Sequence, residues 1–327
     1  MISTASNAVP MFPSFVADDS ESEFALELAA GLRTRPRQIS PKFFYDAAGS
    51  ALFDQICELP EYYPTRTELG ILREHAADMA AMIGPNAEIV EYGAGASRKV
   101  RLLLDALERP QRFVPIDISG EHLHASAAAL RAAYPALKVR PVVADFTRPV
   151  ALPPRLPGHG LRVGFFPGSS IGNFDPAEAR RFLRLLASQL RGGGLLVGTD
   201  LIKNPLTLHA AYNDAAGVTA AFNRNLLVRA NRELDAGFKV NDFAHYAFYN
   251  PQQQRIEMHL VSRCAQRVRI AGECFDFDAG DAIHTENSYK FTPEGFQALA
   301  VEAGFRPRAS WCDAQCWFCM HWLEAPA

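Results

Sequence analysis

The sequence predicts an α/β fold in which a parallel sheet carries ligand-binding groups along its carboxyl edge. Three observations lead to this prediction. The apolar run at residues 89–90 ends in an acid and then in Gly93 and Gly95, and a helix-like segment follows. Two further apolar runs end in Asp117 and Asp145. Apolar strands that alternate with helices and end in polar or glycine-rich turns are typical of parallel sheets with ligands at their strand ends.

The composition is that of a soluble globular chain. The 327 residues are 48% apolar and 21% charged, with a net charge of −3, and this length can bury one large domain or a domain with an insertion. The net charge argues against a nucleic-acid surface, and no apolar run is long enough to cross a bilayer. Residues 1–23 contain no Lys or Arg and no apolar signal core. We therefore expect a flexible tail and a cytoplasmic protein.

The elements before the glycine turn are helical or irregular. The spacing of leucines predicts an amphipathic helix over residues 24–34, and a second helix is expected over residues 68–82. Between them, residues 41–68 are aromatic and punctuated by prolines. Aromatic residues in such segments are most often used for packing. The adjacent Tyr62 and Tyr63, however, lie on an irregular backbone that can aim hydroxyl groups into a cleft.

The glycine turn and the acids after it predict a nucleoside cofactor. Gly-x-Gly alone is weak evidence, because turns are commonly glycine-rich and the third glycine of the dinucleotide fingerprint is missing. Asp117 lies about twenty residues further on, where a second-strand carboxylate accepts ribose hydroxyls. Asp145 follows the third apolar run, residues 139–144. It can accept the exocyclic amine of adenine while Phe146 packs on the ring.

The sheet pattern continues to about residue 200 and then stops. A fourth strand over residues 162–166 ends in a glycine-rich turn, and a helix over residues 176–190 leads to an apolar run at residues 195–198. The later chain no longer alternates between strand and helix. Its predicted elements are two helical pieces within 208–232, a half-exposed strand at 255–261, extended segments at 268–270, 274–277 and 283–290, a helix at 293–303 and a terminal strand at 315–322.

The polar segment 283–290 contains two chemically useful side chains. Glu286 and Ser288 are two residues apart, so in an extended strand they share one face. A solvated strand acid is the ordinary alternative for Glu286.

The six cysteines are expected to be free thiols, since the chain is long and has no recognisable export signal. Cys312, Cys316 and Cys319 have the spacing of an iron–sulfur cluster loop. Such a loop needs a domain after it to hold the cluster, and few residues follow here. We therefore interpret the three as small apolar residues in the terminal strand and expect no metal.

Several long motifs resemble the histidine N-alpha-methyltransferases of the ergothioneine pathway. They are residues 42–68, 168–173, 200–203, 212–223, 255–258 and 285–288. The resemblance extends from about residue 25 to the end. It implies a Rossmann-like, S-adenosylmethionine-dependent methyltransferase with an inserted α+β substrate-binding domain. It also implies that three methyl groups from S-adenosylmethionine are placed on the α-amine of L-histidine, giving hercynine in the first step of ergothioneine biosynthesis.

The resemblance also assigns site residues and domains. Carried over position by position, the cofactor contacts fall on Gly93, Lys99, Asp117, Asp145 and Phe146. The histidine contacts fall on Tyr62, Asn173, Tyr212, Glu286 and Ser288, with Met258 shaping the pocket wall. In the family, tyrosine and asparagine hold the substrate carboxylate, while the acid and the serine hold the imidazole. We expect a tail at 1–23, a core at 24–204, a substrate-binding insertion at 205–290, and a C-terminal helix and strand at 291–327 that complete the core.

The chemistry does not require a strong catalytic base. An α-amine titrates near pH 8, so methyl transfer mainly needs alignment of the donor and the free amine. Two alternatives stay open from the sequence: the same chemistry on tryptophan or another aromatic amino acid, and a non-catalytic S-adenosylmethionine-binding protein. We expect a monomer with no nucleic-acid or membrane partner.

Overall fold

The computed structural model describes residues 22–95, 97–155, 158 and 160–327. The predicted tail at residues 1–23 lies outside this part of the chain, apart from its last two residues. Among the described helices, none combines the length and the apolar character that a membrane span requires.

The described chain contains fourteen strands and nine α-helices. The strands are β1 (Arg37–Gln38), β2 (Glu88–Tyr92), β3 (Arg112–Asp117), β4 (Lys138–Val139), β5 (Val142–Val143), β6 (Arg162–Phe166), β7 (Gly193–Asp200), β8 (Phe243–Asn250), β9 (Arg255–Ser262), β10 (Gln266–Ile270), β11 (Glu273–Phe277), β12 (Ala282–Tyr289), β13 (Arg306–Cys312) and β14 (Phe318–Ala325). The helices are α1 (Glu23–Arg33), α2 (Ala47–Glu58), α3 (Tyr63–Ile83), α4 (Arg98–Ala106), α5 (Gly120–Ala133), α6 (Pro176–Gln189), α7 (Pro205–Tyr212), α8 (Val218–Leu234) and α9 (Pro293–Glu302).

An eight-stranded sheet forms the core, in the order β13-β14-β7-β6-β2-β3-β4, with β5 also paired to β3. The strands from β7 to β4 in this order, and β5, are parallel. The last two strands of the chain, β13 and β14, are antiparallel additions beyond β7. The chain order reverses between β2 and β6. In open α/β sheets the ligand crevice lies at the carboxyl ends of the strands beside such a reversal.

Helices cover both faces of this sheet, which confirms the predicted α/β class. On one face, α3, α4 and α5 pack around residues such as Leu103 and Ile89. On the other face, α6 and α9 pack around residues such as Leu183 and Val90. Ile89 and Val90 are neighbours in β2, are both fully buried and point to opposite faces. A strand covered on both sides can therefore carry consecutive apolar residues, as β2 does at Ile89 and Val90.

A second sheet has the order β1-β12-β9-β8 and packs with a two-stranded hairpin of β10 and β11. Its core contains Leu226 of α8, Leu260 of β9 and also Leu28 of α1. Thus α1, which comes before the core strands in the chain, packs with elements that follow β7. The domain bounds at residues 205 and 290 stay a prediction.

The end of β12 returns the chain to the end of β7. Phe291 donates its N–H to the carbonyl of Asp200 at 2.9 Å, and Ile202 donates to the carbonyl of Phe291 at 3.0 Å. The last residues of β12 are therefore fixed beside the carboxyl edge of the main sheet. This connection brings the segment with Glu286 and Ser288 to the predicted ligand crevice.

Several elements differ from the sequence-based predictions. Helix α2 and strands β8 and β13 were not predicted, and the terminal strand begins at Phe318 rather than at residue 315. The predicted strand at 139–144 is split into β4 and β5. Arg140 still donates its N–H to the carbonyl of Phe113 in β3 at 2.8 Å, but Pro141 has no N–H to donate. Helix α2 begins at a local signal, the Asp46 side chain, which accepts the N–H of Gly49 at 2.7 Å.

The prediction that all cysteines are free is wrong for two of them. Cys312 and Cys319 form a disulfide bond. They lie opposite each other on the antiparallel strands β13 and β14, and this register brings the two side chains together. Strand β13 was missing from the predicted elements, so the pairing was not foreseen. Cys57, Cys264, Cys274 and Cys316 are free thiols.

Candidate active site

Two connected cavities lie at the carboxyl edge of the main sheet. The outer cleft has a volume of about 1060 Å³ and is bordered by the ends of β2, β3 and β6 and by β12. The inner pocket, of about 50 Å³, lies toward the second sheet. Wall residues shared by both include Tyr45, Phe53, Tyr62, Asn173 and Glu286. The two cavities are therefore adjacent at this shared wall.

The glycine turn after β2 forms the floor of the outer cleft. Gly93 has φ +73° and Gly95 has φ +43°, conformations in which an L side chain is strained. A Cβ atom on Gly93 would also lie 3.4 Å from the Phe146 ring. The N–H of Gly93 bonds to the carbonyl of Ile116 at 2.9 Å, so the turn is tied to β3.

Asp117, the last residue of β3, is held by backbone N–H groups. One carboxylate oxygen accepts from Ser119 at 2.9 Å, and the other accepts from Gly95 at 3.2 Å. Each oxygen of a carboxylate has two lone pairs, so both keep capacity for a ligand. The contact with Gly95 also links the predicted ribose-binding acid directly to the glycine turn.

Asp145 and Phe146 form the opposite wall of the cleft. One oxygen of Asp145 accepts from the backbone N–H of Thr147 at 2.9 Å and from its hydroxyl at 2.6 Å. The other oxygen lies 3.6 Å from the Lys42 ammonium. The Phe146 ring packs edge-on against Phe166, with 5.7 Å between the ring centroids. The Asp145 carboxylate and the Phe146 ring thus lie side by side in the wall of the outer cleft.

Lys99 approaches the cleft from the first turn of α4. Its ammonium lies 2.6 Å from a carboxylate oxygen of Glu68, and both oxygens of Glu68 accept the N–H of Gly168 at 2.9 Å. Glu91 lines the cleft nearby and is almost fully buried. Its Oε2 atom has no hydrogen-bond partner among the described residues, and burial raises its pKa well above the usual range.

The structure brings together each set of residues predicted from the sequence. The five cofactor residues all line the outer cleft: Gly93, Lys99, Asp117, Asp145 and Phe146. The six substrate residues all line the inner pocket: Tyr62, Asn173, Tyr212, Met258, Glu286 and Ser288. They come from separate segments of the chain, so their convergence depends on the tertiary structure.

Glu286 faces the junction of the two cavities and has no hydrogen bond or ion pair from its carboxylate to any described residue. Burial raises the pKa of Glu286 to about 7, although Lys290 acts in the opposite direction. A half-buried carboxylate without a partner is costly for the empty protein. A ligand that brings an N–H group would remove that cost.

The hydroxyl groups of the inner pocket are bonded to each other and to a lysine. Tyr212 donates its hydroxyl to Ser288 Oγ at 2.8 Å. Lys290 donates to Ser288 Oγ at 2.8 Å and to Tyr212 Oη at 3.2 Å. The third partner of the Lys290 ammonium is Asp200 Oδ2, at 2.8 Å.

Asp200 is the centre of a buried ionic network behind the pocket. It accepts the Tyr63 hydroxyl at 2.7 Å and pairs with Lys203 at 2.5 Å. Burial by itself would raise the pKa of Asp200, but Lys290 and Lys203 hold it below the usual range. Burial lowers the pKa of Lys203 to about 8, whereas Asp200 more than offsets burial at Lys290 and raises its pKa.

A β-bulge sets the direction of Glu286. The pairing of β12 with β9 shifts between His284 and Glu286, and His284 Nε2 bonds to the Glu286 carbonyl at 3.1 Å. The His284 ring stacks on His259, which lies 3.2 Å from Glu257. These three side chains are close enough to share a cation, but Glu257 is already paired with Arg255 at 2.8 Å.

Sequence reasoning missed some residues at the site. Tyr45 lines both cavities, and burial raises its pKa well above the usual range. Thr219 lines the inner pocket, and its hydroxyl has no partner among the described residues. Glu91 was visible in the sequence as the acid before the glycine turn. Tyr45 lies within an aromatic segment where packing and binding roles cannot be told apart without the fold.

Comparisons with known proteins agree on one family. The sequence profile of the histidine-specific, SAM-dependent methyltransferases matches residues 24–325. The chain is 46% identical over 306 residues to the histidine N-alpha-methyltransferase of Mycolicibacterium smegmatis, covering 91% of this chain and 94% of that protein. It is 43% identical over 293 residues to the enzyme of the same name from Mycobacterium tuberculosis, covering 88% and 90%. Identity to ergothioneine biosynthesis protein 1 of Neurospora crassa is 29% over 297 residues, covering 84% of this chain and 32% of that protein.

Proposed function

The chain belongs to the family of histidine-specific, S-adenosylmethionine-dependent methyltransferases, and from this we propose that it trimethylates the α-amino group of L-histidine. The product is the betaine hercynine, and the reaction is the first step of ergothioneine biosynthesis. The chain is thus a methyltransferase with an α/β, Rossmann-like core and with S-adenosylmethionine as its methyl donor.

One observation carries the substrate assignment. The outer cleft, with its carboxylates and aromatic face, opens directly onto a small pocket whose shared wall contains the unpartnered carboxylate of Glu286. An imidazole N–H is a suitable partner for that carboxylate. The inner pocket is much smaller than the outer cleft, about 50 Å³ against about 1060 Å³, which suits it to an amino-acid side chain rather than to the methyl donor.

In this proposal the outer cleft holds the methyl donor. Asp117 accepts the ribose hydroxyls, Asp145 accepts the adenine amine, and Phe146 packs on the adenine ring. The tight turn at Gly93 leaves the backbone close to the ligand. Lys99 binds the carboxylate of the methionine part, since it is the cationic group of this set.

The inner pocket and its rim hold histidine. Glu286 and Ser288 bind the imidazole ring. Tyr62, Asn173 and Tyr212 hold the substrate carboxylate, as the family resemblance implies. Met258, which is fully buried in β9, forms the pocket wall. Anchoring both ends of histidine keeps the α-amine in place through three rounds of transfer.

The chain contributes alignment rather than a strong base. In each round the amine lone pair forms an N–C bond, the S–C bond of the sulfonium breaks, and a neutral thioether leaves. A proton is lost to solvent before each of the three transfers. Burial raises the pKa of Tyr62 well above the usual range, so its hydroxyl is neutral at physiological pH and serves as a hydrogen-bond donor. Deprotonation of the substrate α-ammonium costs about 1–3 kcal/mol at neutral pH, which does not require a strong base.

Mass spectrometry tests the proposal directly. L-Histidine incubated with the protein and S-adenosylmethionine should gain three methyl groups, and fragmentation should locate all of them on the α-nitrogen. A single methyl group as the final product, or methylation of the ring, would contradict the proposal. The same assay with histidine, tryptophan and tyrosine in competition tests the substrate, because a preference for an aromatic competitor would make the histidine assignment wrong.

We also propose that the enzyme is cytoplasmic and monomeric and that it has no nucleic-acid or membrane partner. A net charge of −3 supports the absence of a nucleic-acid surface. The proposal also includes a substrate domain over residues 205–290 inserted into a core of 24–204 and 291–327. Three of the four strands of the second sheet, β8, β9 and β12, lie within residues 205–290 and support that division, while the fourth, β1, comes from the N-terminal segment. Size-exclusion chromatography with light scattering tests the oligomeric state.

A further inference from the structure

Glu68 of α3 connects the two cavities without lining either of them. Its side chain is fully buried, and one carboxylate oxygen lies 2.6 Å from the Lys99 ammonium. Both oxygens accept the N–H of Gly168 at 2.9 Å. Lys99 lines the outer cleft, and Gly168 lines both cavities. Glu68 therefore contacts residues that line the cavities rather than the space that a ligand would occupy.

Glycines leave the space that these groups need. Gly168 has φ +81°, and a Cβ atom there would lie 3.2 Å from the Lys99 ammonium. A Cβ atom on Gly198 of β7 would lie 2.4 Å from Glu68 Oε1. A larger residue at either position would displace the ammonium or the carboxylate. The positions of Lys99 and of the chain at Gly168 therefore depend on each other through Glu68.

Each partner of Glu68 has a role in the proposed reaction. Lys99 binds the carboxylate of the methionine part of the donor. An ammonium has three N–H donors, so the contact with Glu68 leaves donors for that carboxylate. Gly168 begins the turn that carries Asn173, a proposed contact of the histidine carboxylate. A buried partner that fixes a long lysine side chain before the ligand arrives lowers the entropy cost of binding.

We infer that Glu68 is a positioning residue shared by the two substrate sites. It fixes Lys99 for the methyl donor and the turn at Gly168 for histidine, and these two contacts together set the alignment of the methyl group with the amine. This inference rests on the proposed function and adds to it a residue that contacts neither substrate. Methyl transfer needs the donor and the amine in line, and a displacement of about 1 Å can lower the rate about 100-fold.

The variants Glu68→Gln and Glu68→Ala separate the two contacts, with affinities measured by isothermal titration calorimetry. The glutamine oxygen can accept the Gly168 N–H, but the amide is uncharged and its NH2 group cannot accept from Lys99. We expect Glu68→Gln to lower the affinity for S-adenosylhomocysteine at least about tenfold and to keep the affinity for histidine within about threefold of wild type. Glu68→Ala should lower both affinities at least about tenfold. Its kcat with both substrates saturating should also fall at least about tenfold.

A double-mutant cycle with Lys99→Met shows whether Glu68 acts through Lys99. If it does, adding Glu68→Gln to Lys99→Met should change the affinity for S-adenosylhomocysteine less than about threefold, because the contact is already lost. A general structural role would instead give additive effects, and the inference would then be wrong. Glutamine keeps the shape of the glutamate side chain, so this cycle decides the matter even if Glu68→Ala folds poorly.

Glu88→Gln is the matched control. Glu88 is also a buried glutamate and pairs with Arg162 at 2.7 Å, but it is the first residue of β2, at the opposite end of that strand from Gly93. Its replacement should lower stability and leave both affinities unchanged. If Glu68→Gln and Glu88→Gln change the affinities equally, or if neither changes them, Glu68 has only a structural role. A wild-type enzyme inactive on histidine would instead contradict the proposed function, and the cycle with S-adenosylhomocysteine would still test the contact between Glu68 and Lys99.

Discussion

Glu286 illustrates how one side chain can be unfavourable for the empty protein and useful for binding. Its carboxylate is half-buried and has no hydrogen-bond partner among the described residues, and burial raises its pKa to about 7 from an ordinary value of 4.5. The folded protein therefore binds this proton more tightly than the unfolded chain does. Ionisation of Glu286 lowers stability as the pH rises from 4.5 to 7, and the full cost is present above pH 7.

Glu286→Gln should consequently stabilise the ligand-free protein at alkaline pH. We expect the free energy of unfolding at pH 8 to increase by about 1–3 kcal/mol relative to wild type, with a smaller gain at pH 5. Urea denaturation of both proteins at the two pH values measures this difference. An equal effect at pH 5 and pH 8 would show that the pKa of Glu286 is not raised by folding.

The carboxylate of Asp117, unlike that of Glu286, already accepts hydrogen bonds from two backbone N–H groups. Asp117→Ala removes the proposed acceptor of the ribose hydroxyls. We expect affinity for S-adenosylhomocysteine to fall by about 10- to 100-fold, because a hydrogen bond to a charged group contributes about 1.5–3 kcal/mol.

Isothermal titration calorimetry measures this affinity, and Asp278→Ala is a suitable control. Asp278 is an exposed acid between β11 and β12, outside both cavities. A loss of affinity in the control, or unchanged affinity in the Asp117 variant, would contradict the assignment of the outer cleft to the donor.

At the scale of elements, the close spacing of strands depends on small residues in β7. Gly193 lies where β7 meets β6, and a Cβ atom there would lie 2.0 Å from the carbonyl oxygen of Arg162. Because the obstacle is backbone, no side-chain rotation can relieve it. A Cβ atom on the next residue, Gly194, would lie 2.4 Å from the Trp322 ring of β14 and 2.9 Å from the carbonyl oxygen of Leu323. Strand β7 can therefore pack between β6 and β14 only if residues 193 and 194 carry no side chain.

Gly193→Ala should therefore lower the free energy of unfolding by at least about 1–3 kcal/mol, the usual cost of overpacking a core. Gly70→Ala is a matched control, because Gly70 lies on the exposed side of α3 with no atom within 4 Å of the position that the new methyl group would take. That change should stabilise the protein by about 0.5–1 kcal/mol, since alanine favours helix. Chemical denaturation of both variants measures the two effects, and a destabilised Gly70 variant or a neutral Gly193 variant would contradict them.

The β-bulge in β12 has a comparable effect at the site. The bulge shifts the pairing of β12 with β9 by one residue between His284 and Glu286. In a regular strand these two side chains, two residues apart, would lie on the same face of the sheet. The bulge allows Glu286 and Ser288 to face the inner pocket, while the His284 ring stacks on His259 of β9. Thr285, on the other side, is buried and bonds to Asn223 at 2.7 Å, which anchors the bulge.

At the scale of the whole molecule, the two sheets supply different parts of one site. The carboxyl ends of the main-sheet strands border the outer cleft, and the second sheet contributes Met258, Glu286 and Ser288 to the inner pocket. The two cavities should therefore respond separately to substitutions. Glu286→Ala should weaken histidine binding by about 10- to 100-fold, through loss of a charge-assisted hydrogen bond, and should leave the affinity for S-adenosylhomocysteine unchanged.

Calorimetry with S-adenosylhomocysteine alone, and then with histidine added to the complex, separates the two affinities. Asp117→Ala is the reciprocal comparison, because it should lower the affinity for S-adenosylhomocysteine directly. If Glu286→Ala lowered the affinity for histidine and for S-adenosylhomocysteine equally, the substitution would have changed the whole site rather than the inner pocket.

The sequence alone determined the carboxyl edge of the main sheet. Strand, turn and helix follow one another locally, so Gly93, Asp117 and Asp145 could be placed at strand ends by their positions in the chain. The long motifs around Tyr62, Tyr212 and Glu286 indicated the substrate residues. These features depend on residue type and short spacing, which a sequence displays directly.

Only the tertiary structure decided what surrounds those residues. Lys290 meets Asp200 across ninety positions of the chain, and Cys312 meets Cys319 through a strand register that the pattern did not predict. The packing of α1 with the second sheet likewise joins distant segments. Burial, pKa and hydrogen-bond polarity depend on which groups fold against each other. Residue types alone therefore cannot show that a lysine behind the pocket is buried against Asp200, Ser288 and Tyr212.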